Sequence, residues 1–153
     1  MKAIRILMAA MAVMTGLTVF AQAPVFKDLP SGEGIEKVYI SKALMQLAGS
    51  AMSTPVNGVN IPDPSKINNI EVVNVESRKY FKTVEEKLNA YVNANKLQVL
   101  LQNDDGEEVT VIYGLMSDDG KKLKELVIYN NEGDELNVVV INGEIDPQSI
   151  MSR

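Results

Sequence analysis

From Leu97 to Asn142 the chain reads as short apolar, β-branched runs with a strand period, and three short polar turns cut that stretch into pieces of strand length. The turns are Asp104-Asp105-Gly106, Asp118-Asp119-Gly120 and Asn131-Glu132-Gly133-Asp134. In such turns glycine supplies a positive φ, and Asp or Asn opens the turn by bonding the backbone two residues on. A period of two predicts strands at about Leu97–Gln102, Glu108–Met116, Leu123–Asn130 and Leu136–Asn142. Strands joined by tight hairpins form an antiparallel meander. The turn glycines recur at 14 and 13 residues, a hairpin spacing and not a sequence repeat.

Ahead of the meander the pattern is mixed. Pro30, Gly32 and Gly34 make Pro24–Gly34 a loop, and a first strand is predicted over Ile35–Ile40. Ser41 stands where it can cap a helix from Lys42 to about Met52, whose apolar stripe is Leu44, Met45, Leu47, Ala48, Ala51 and Met52. Pro55, Gly58, Pro62 and Pro64 turn Ser53–Ser65 into a long surface loop. Ile67–Val75 is β-branched and apolar on both faces, as an interior strand requires. A second helix is predicted over Arg78–Ala94, with Tyr80, Val84, Leu88 and Val92 four apart and Phe81 and Tyr91 beside them. Thr83 with Glu86 fits a capping box, although the stripe already begins at Tyr80. Asp146 and Pro147 fit the cap and first position of a short terminal helix.

The expected fold is α+β: a mainly antiparallel sheet ending in a four-strand meander, with two main helices packed on one face. The meander strands carry apolar residues on both sides. Val109, Val111 and Tyr113 face one way and Ile112 the other, and Leu126 and Ile128 oppose Val127 and Tyr129. Two helices on one face would leave the other partly bare, which points to an interaction surface. Mixed burial or a curled sheet accounts for the same pattern.

At the N-terminus Lys2 and Arg5 precede Ile6–Phe20, a run without charge. This is the pattern of a secretory signal peptide, too short for the roughly 20 residues of a permanent span. Two small-residue cleavage sites compete, Val19-Phe20-Ala21 and Ala21-Gln22-Ala23. A cut between Ala21 and Gln22 is favoured, because the second site would place Pro24 at the scissile bond. The expected division is therefore a signal peptide over 1–21 and a single α+β domain over 22–153, periplasmic or secreted. The sequence contains no cysteine, so neither a lipid anchor nor a disulfide is expected. Removing Lys2 and Arg5 leaves 13 basic and 20 acidic residues, a net charge of −7 that disfavours nucleic acid. Arg78, Lys79 and Lys82 read as a solvated helix face followed by Glu85 and Glu86, not as a basic patch.

With neither His nor Cys, the chain cannot build a Ser-His-Asp triad, a Cys-His dyad or an ordinary zinc site. Gly32 and Gly34 begin a dinucleotide-like pattern, but Lys37 stands where the third glycine belongs. An EF-hand loop with Gly120 at its sixth position would put Leu115 and Leu126 where carboxylates are needed, and Gly106 fails similarly with Leu101. A weaker calcium contact at Asp104, Asp105, Asp118 and Asp119 requires neighbouring turns to converge; solvated hairpin turns are the better reading. No catalytic residue, cofactor or metal site is expected.

Three blocks of the chain resemble a known family. They are Val38-Tyr39-Ile40-Ser41-Lys42 leading into Ala43-Leu44-Met45, then Lys124-Glu125-Leu126-Val127-Ile128, then Val140-Ile141-Asn142-Gly143-Glu144-Ile145-Asp146. In this order, behind a signal peptide, they are similar to the small exported Bacteroidetes proteins of domain-of-unknown-function family 4252. The resemblance implies a compartment and a fold, and it carries over no catalytic residue. The function expected is that of an exported, non-catalytic module that binds a protein partner, or itself, through a sheet face or edge. Tyr39, Tyr113 and Tyr129 are its candidate surface residues. The alternatives are a small-ligand carrier with a pocket between helices and sheet, and a hydrolase using paired carboxylates.

Overall fold

The computed structural model describes residues 24–48 and 63–151. The expected cut between Ala21 and Gln22, the last residues of the expected first helix and most of the following loop lie outside them. Among the described residues no helix is long and apolar enough to cross a membrane.

Strand β1 (Ile35–Ser41) runs directly into helix α1 (Lys42–Ala48). Ser41 caps it as expected, its Oγ accepting the Leu44 N–H at 3.3 Å. Strand β2 (Ile67–Val75) has the predicted bounds. A 3-10 turn over Arg78–Tyr80 then leads into α2 (Phe81–Ala94), and Tyr80 sits at its N-cap without a side-chain cap bond. The capping box expected from Thr83 and Glu86 is therefore not the start of this helix; the apolar stripe that begins at Tyr80 is. Helix α2 ends where Lys96 takes a φ of 56° and the Leu97 N–H returns to the Val92 carbonyl at 3.0 Å. That closure satisfies a terminal carbonyl that would otherwise lack a partner.

The meander follows as β3 (Gln98–Asp104), β4 (Val109–Met116), β5 (Leu123–Asn131) and β6 (Leu136–Ile145). Gly106, Gly120 and Gly133 all have positive φ in its turns. The terminal helix α3 (Pro147–Met151) is capped by Asp146, whose Oδ1 accepts the Gln148 N–H at 3.0 Å. All six strands join one antiparallel sheet in the order β1-β2-β6-β5-β4-β3. The β2–α2–β3 connection carries the chain across the sheet to its far edge, and the meander brings it back until β6 pairs with β2.

Both faces of the sheet are packed. On one, Val84, Leu88 and Val92 of α2 meet Val73, Val75, Val127, Leu136, Val138 and Val140. On the other, Met45 of α1 packs with Ile67, Ile70, Leu126, Val139 and Ile141. The expectation of two helices sharing one face is thus corrected: α1 and α2 lie on opposite faces. Side chains alternate along a strand, so β2 and β6, apolar on both sides, need cover on each. The opening loop is also part of the core, since Phe26 and Leu29 are buried in the α2-side cluster.

Two irregularities shape the sheet. In β3 the register with β4 shifts between Val99 and Leu101, leaving Leu100 as an extra residue. At the start of β2 a second shift lets Gly143 of β6 approach the chain so closely that an added Cβ would lie 2.5 Å from the Lys66 carbonyl oxygen and 2.7 Å from the Ile67 Cα. With a φ of +145° as well, that position admits only glycine without strain.

Candidate functional site

The polar groups of the interior lie beneath α2. Alternation puts Asn69 and Glu71 of β2, Asn142 of β6 and Glu125 of β5 on the α2 face, and all four are buried. Pairing sets Asn69, Asn142 and Glu125 side by side across three strands, with Asn142 Nδ2 donating to Asn69 Oδ1 at 2.9 Å. The Tyr91 hydroxyl descends from α2 onto this row. Burial and the neighbouring Glu125 carboxyl push that hydroxyl well above the ordinary tyrosine range. Neither the Tyr91 hydroxyl nor Glu125 Oε1 reaches full hydrogen-bond geometry with any partner. They are nevertheless close enough to affect each other's proton: burial drives the Glu125 carboxyl up, and the Tyr91 hydroxyl pulls it partly back.

Glu71 is used differently. Its Oε2 accepts the Val25 N–H at 2.7 Å and its Oε1 accepts the Phe26 N–H at 2.8 Å, so both oxygens fasten the opening segment to the sheet. Burial raises its pKa, and the two backbone donors and the nearby Lys37 act in the opposite sense. Lys37 completes the fastening by donating to the Leu29 carbonyl. Glu71 and Glu125 are thus two carboxyls on one face, enclosed by α2 and the opening segment. Glu71 anchors the opening segment to the sheet. Neither carboxyl lines the two surface depressions that described residues form.

Sequence reasoning missed both glutamates. A signal was present in each case: Glu71 interrupts the β-branched run Asn69-Ile70-Glu71-Val72-Val73 of an interior strand, and Glu125 follows a lysine in Leu123-Lys124-Glu125-Leu126. Their burial depends on partners far along the chain, 46 and 45 residues away for the two bonds of Glu71.

The three candidate tyrosines are dispersed. Tyr39 is 44% exposed on β1, an edge strand. Tyr113 and Tyr129 are partly buried against the α2-side cluster. The Tyr129 hydroxyl donates to Glu85 Oε1 of α2 at 2.6 Å, and burial and that carboxylate push it up to about 12. The acidic turns do not converge either. Asp104 and Asp105 precede β4 and Asp118 and Asp119 follow it, an extended separation of about 25 Å. Asp105 Oδ1 accepts the Glu107 and Glu108 N–H groups, and Asp118 pairs with Lys124 at 3.1 Å. Among the described residues no group of three acidic side chains is arranged to hold a metal ion.

Described residues line two surface depressions. One, of about 920 Å³, lies on the face opposite α2, with Leu100, Leu101, Ile112, Met116, Leu123 and Pro147 in its lining. The bulge in β3 contributes to it, since Leu100 is turned over Gly114 beside Leu101. The other, of about 690 Å³, is walled mostly by charged and polar residues; of these Lys66, Lys122 and Lys124 are paired with Glu144, Asp146 and Asp118.

Similarity was found at one level. No curated protein and no solved structure matches the chain significantly. A family model described as "Domain of unknown function (DUF4252)" matches residues 29–152, from the buried Leu29 through the terminal helix, with all six strands between. The three blocks that carried the resemblance fall on β1 and α1, on β5, and on β6 with the cap of α3. The chain belongs to this family of domains of unknown function.

Proposed function

We propose that the protein is an exported, non-catalytic interaction module that binds a protein partner through an open edge of its sheet. The observation that supports the reading best is β1. It is an edge strand with regular geometry, and Val38 and Tyr39 project from it at 42% and 44% exposure. An unpaired edge offers a row of backbone donors and acceptors to an incoming strand, and exposed apolar side chains add contact area. The charged run and uncharged stretch at residues 2–20 support export, with processing between Ala21 and Gln22.

The test combines two measurements. N-terminal sequencing of the protein from the producing cell is expected to begin at Gln22. Affinity capture from envelope extracts is expected to recover one reproducible partner, or the protein itself, with the unaltered chain and to lose it with Tyr39→Lys. A chain that is monomeric and recovers nothing in the unaltered form sinks the proposal. A second reading, a carrier of a small apolar ligand, is favoured by the 920 Å³ depression and its leucines. It predicts saturable binding of an apolar fluorescent probe that Leu101→Lys weakens and Tyr39→Lys leaves unchanged.

A further inference from the structure

The two edges of the sheet are guarded unequally. β3 carries a bulge at Leu100 and ends in Asp104 beside Asp105, and both features discourage strand addition. Among the described residues β1 has no such guard. Its seven pairs with β2, from Ile35↔Val75 to Ser41↔Asn69, run without a shift, and it contains no proline. Its one lysine, Lys37, is turned onto the Leu29 carbonyl and not out along the edge.

We propose that β1 pairs antiparallel with β1 of a second copy about a two-fold axis through Tyr39, joining two sheets into one; this rests on the reading of the protein as an edge-binding module. The register follows from charge and side-chain parity. Antiparallel neighbours share a face, so a two-fold through Tyr39 sets Tyr39 against Tyr39 and Val38 against Ile40. It also sets Lys37 against Ser41 and brings Glu36 to Lys42, the first residue of α1, twice by symmetry. Glu36 and Lys42 are exposed, and neither forms an ion pair among the described residues. Moving the axis to Lys37 would set two lysines face to face. Moving it to Val38 would set Glu36 against Ile40 and Lys37 against Tyr39. Both shifts exchange matched pairs for mismatched ones, which favours the register through Tyr39.

The chain contains no cysteine, which makes a direct test available. In the proposed register the two Tyr39 Cα atoms are about 4.5–5.5 Å apart, within disulfide reach. Tyr39→Cys is expected to give a covalent dimer under mild oxidation, while Gln102→Cys on the other edge gives little. Sedimentation of the unaltered protein is expected to show a dimer with a dissociation constant on the order of micromolar. Glu36→Lys should weaken it roughly tenfold, and adding Lys42→Glu should restore it. Thermal melts establish that each variant is folded. A folded protein that stays monomeric at high micromolar concentration overturns the proposal, as does crosslinking at residue 102 that matches that at residue 39. If a monomeric chain still captures a different protein through Tyr39, self-pairing is overturned while the interaction reading stands; loss of both removes both.

Discussion

The two ends of the sheet are held by different means. At the β1 end, the neighbouring strand β2 reaches up through Glu71 and grips the Val25 and Phe26 backbone, while Lys37 holds the Leu29 carbonyl and Phe26 is fully buried. At the β3 end, every residue of the strand is exposed, and Leu100 rests over Gly114 with half its surface in solvent. The β1 end is a clasp made of hydrogen bonds with buried partners. The β3 end depends on strand pairing with β4 and on side chains that can move. Tolerance to change should therefore differ sharply between them, because a buried donor without a partner is costly and a flexible exposed leucine is not.

The largest effect is expected from Glu71→Ala. It leaves the Val25 and Phe26 N–H groups without acceptors and should cost about 3 kcal/mol. Hydrogen exchange should show lost protection at residues 25–29 and β1, with β4 to β6 little affected; uniform loss across the sheet would contradict the local clasp.

Glu125→Gln should have a smaller effect of opposite sign. Among the described residues Glu125 Oε1 has no hydrogen-bond partner, and an isosteric neutral amide beside the Tyr91 hydroxyl should stabilise the neutral-pH protein by about 1 kcal/mol. The sign of the pH dependence follows. Burial raises both Glu71 and Glu125 in the folded chain above their ordinary value of 4.5. The folded state then binds more protons than the unfolded one, so this contribution is fully present below about pH 4.5 and is lost as pH rises through the folded values. Urea titrations between pH 4 and 8 should show a shallower decline in Glu125→Gln than in the unaltered protein. At lower pH, Asp105, Asp119 and Asp146 act in the opposite direction, since hydrogen bonds hold them below the usual carboxylate range.

The smallest effect is expected at the loose end. In Gly114→Ala the new methyl would meet Leu100 Cδ1 at 2.5 Å and Leu123 Cδ2 at 3.0 Å. The nearer atom is the tip of a half-exposed side chain that can swing away, so the cost should stay near 1 kcal/mol by thermal unfolding. A loss as large as that of Glu71→Ala would show that β3 is as rigidly held as β1.

Much of the fold was legible. The turn chemistry and the period of two predicted the meander, the β-branched run predicted β2 to its end residues, and Ser41 and Asp146 cap the helices they were expected to cap. These features are local: each depends on residues within a few positions. The bulge in β3 was not legible, because Val99, Leu100 and Leu101 are all apolar and nothing in their order says which is extra. Of the candidate site, Tyr39 was legible as an exposed aromatic, whereas Tyr113 and Tyr129 are drawn against α2 by a helix that starts some 30 to 50 residues earlier in the chain.

Periodicity, turn residues and caps thus specified the elements and most of their order before any packing was considered, since they act through backbone sterics and nearest-neighbour hydrogen bonds. Which face each helix covers, where the two carboxyls are enclosed and which strands form the sheet's edges were decided by the tertiary structure. The physical reason is that burial is a property of pairs: Glu71 is enclosed because the Val25 and Phe26 N–H groups arrive from 46 and 45 residues earlier in the chain, and β1 is an edge because β6 returns to the far side of β2.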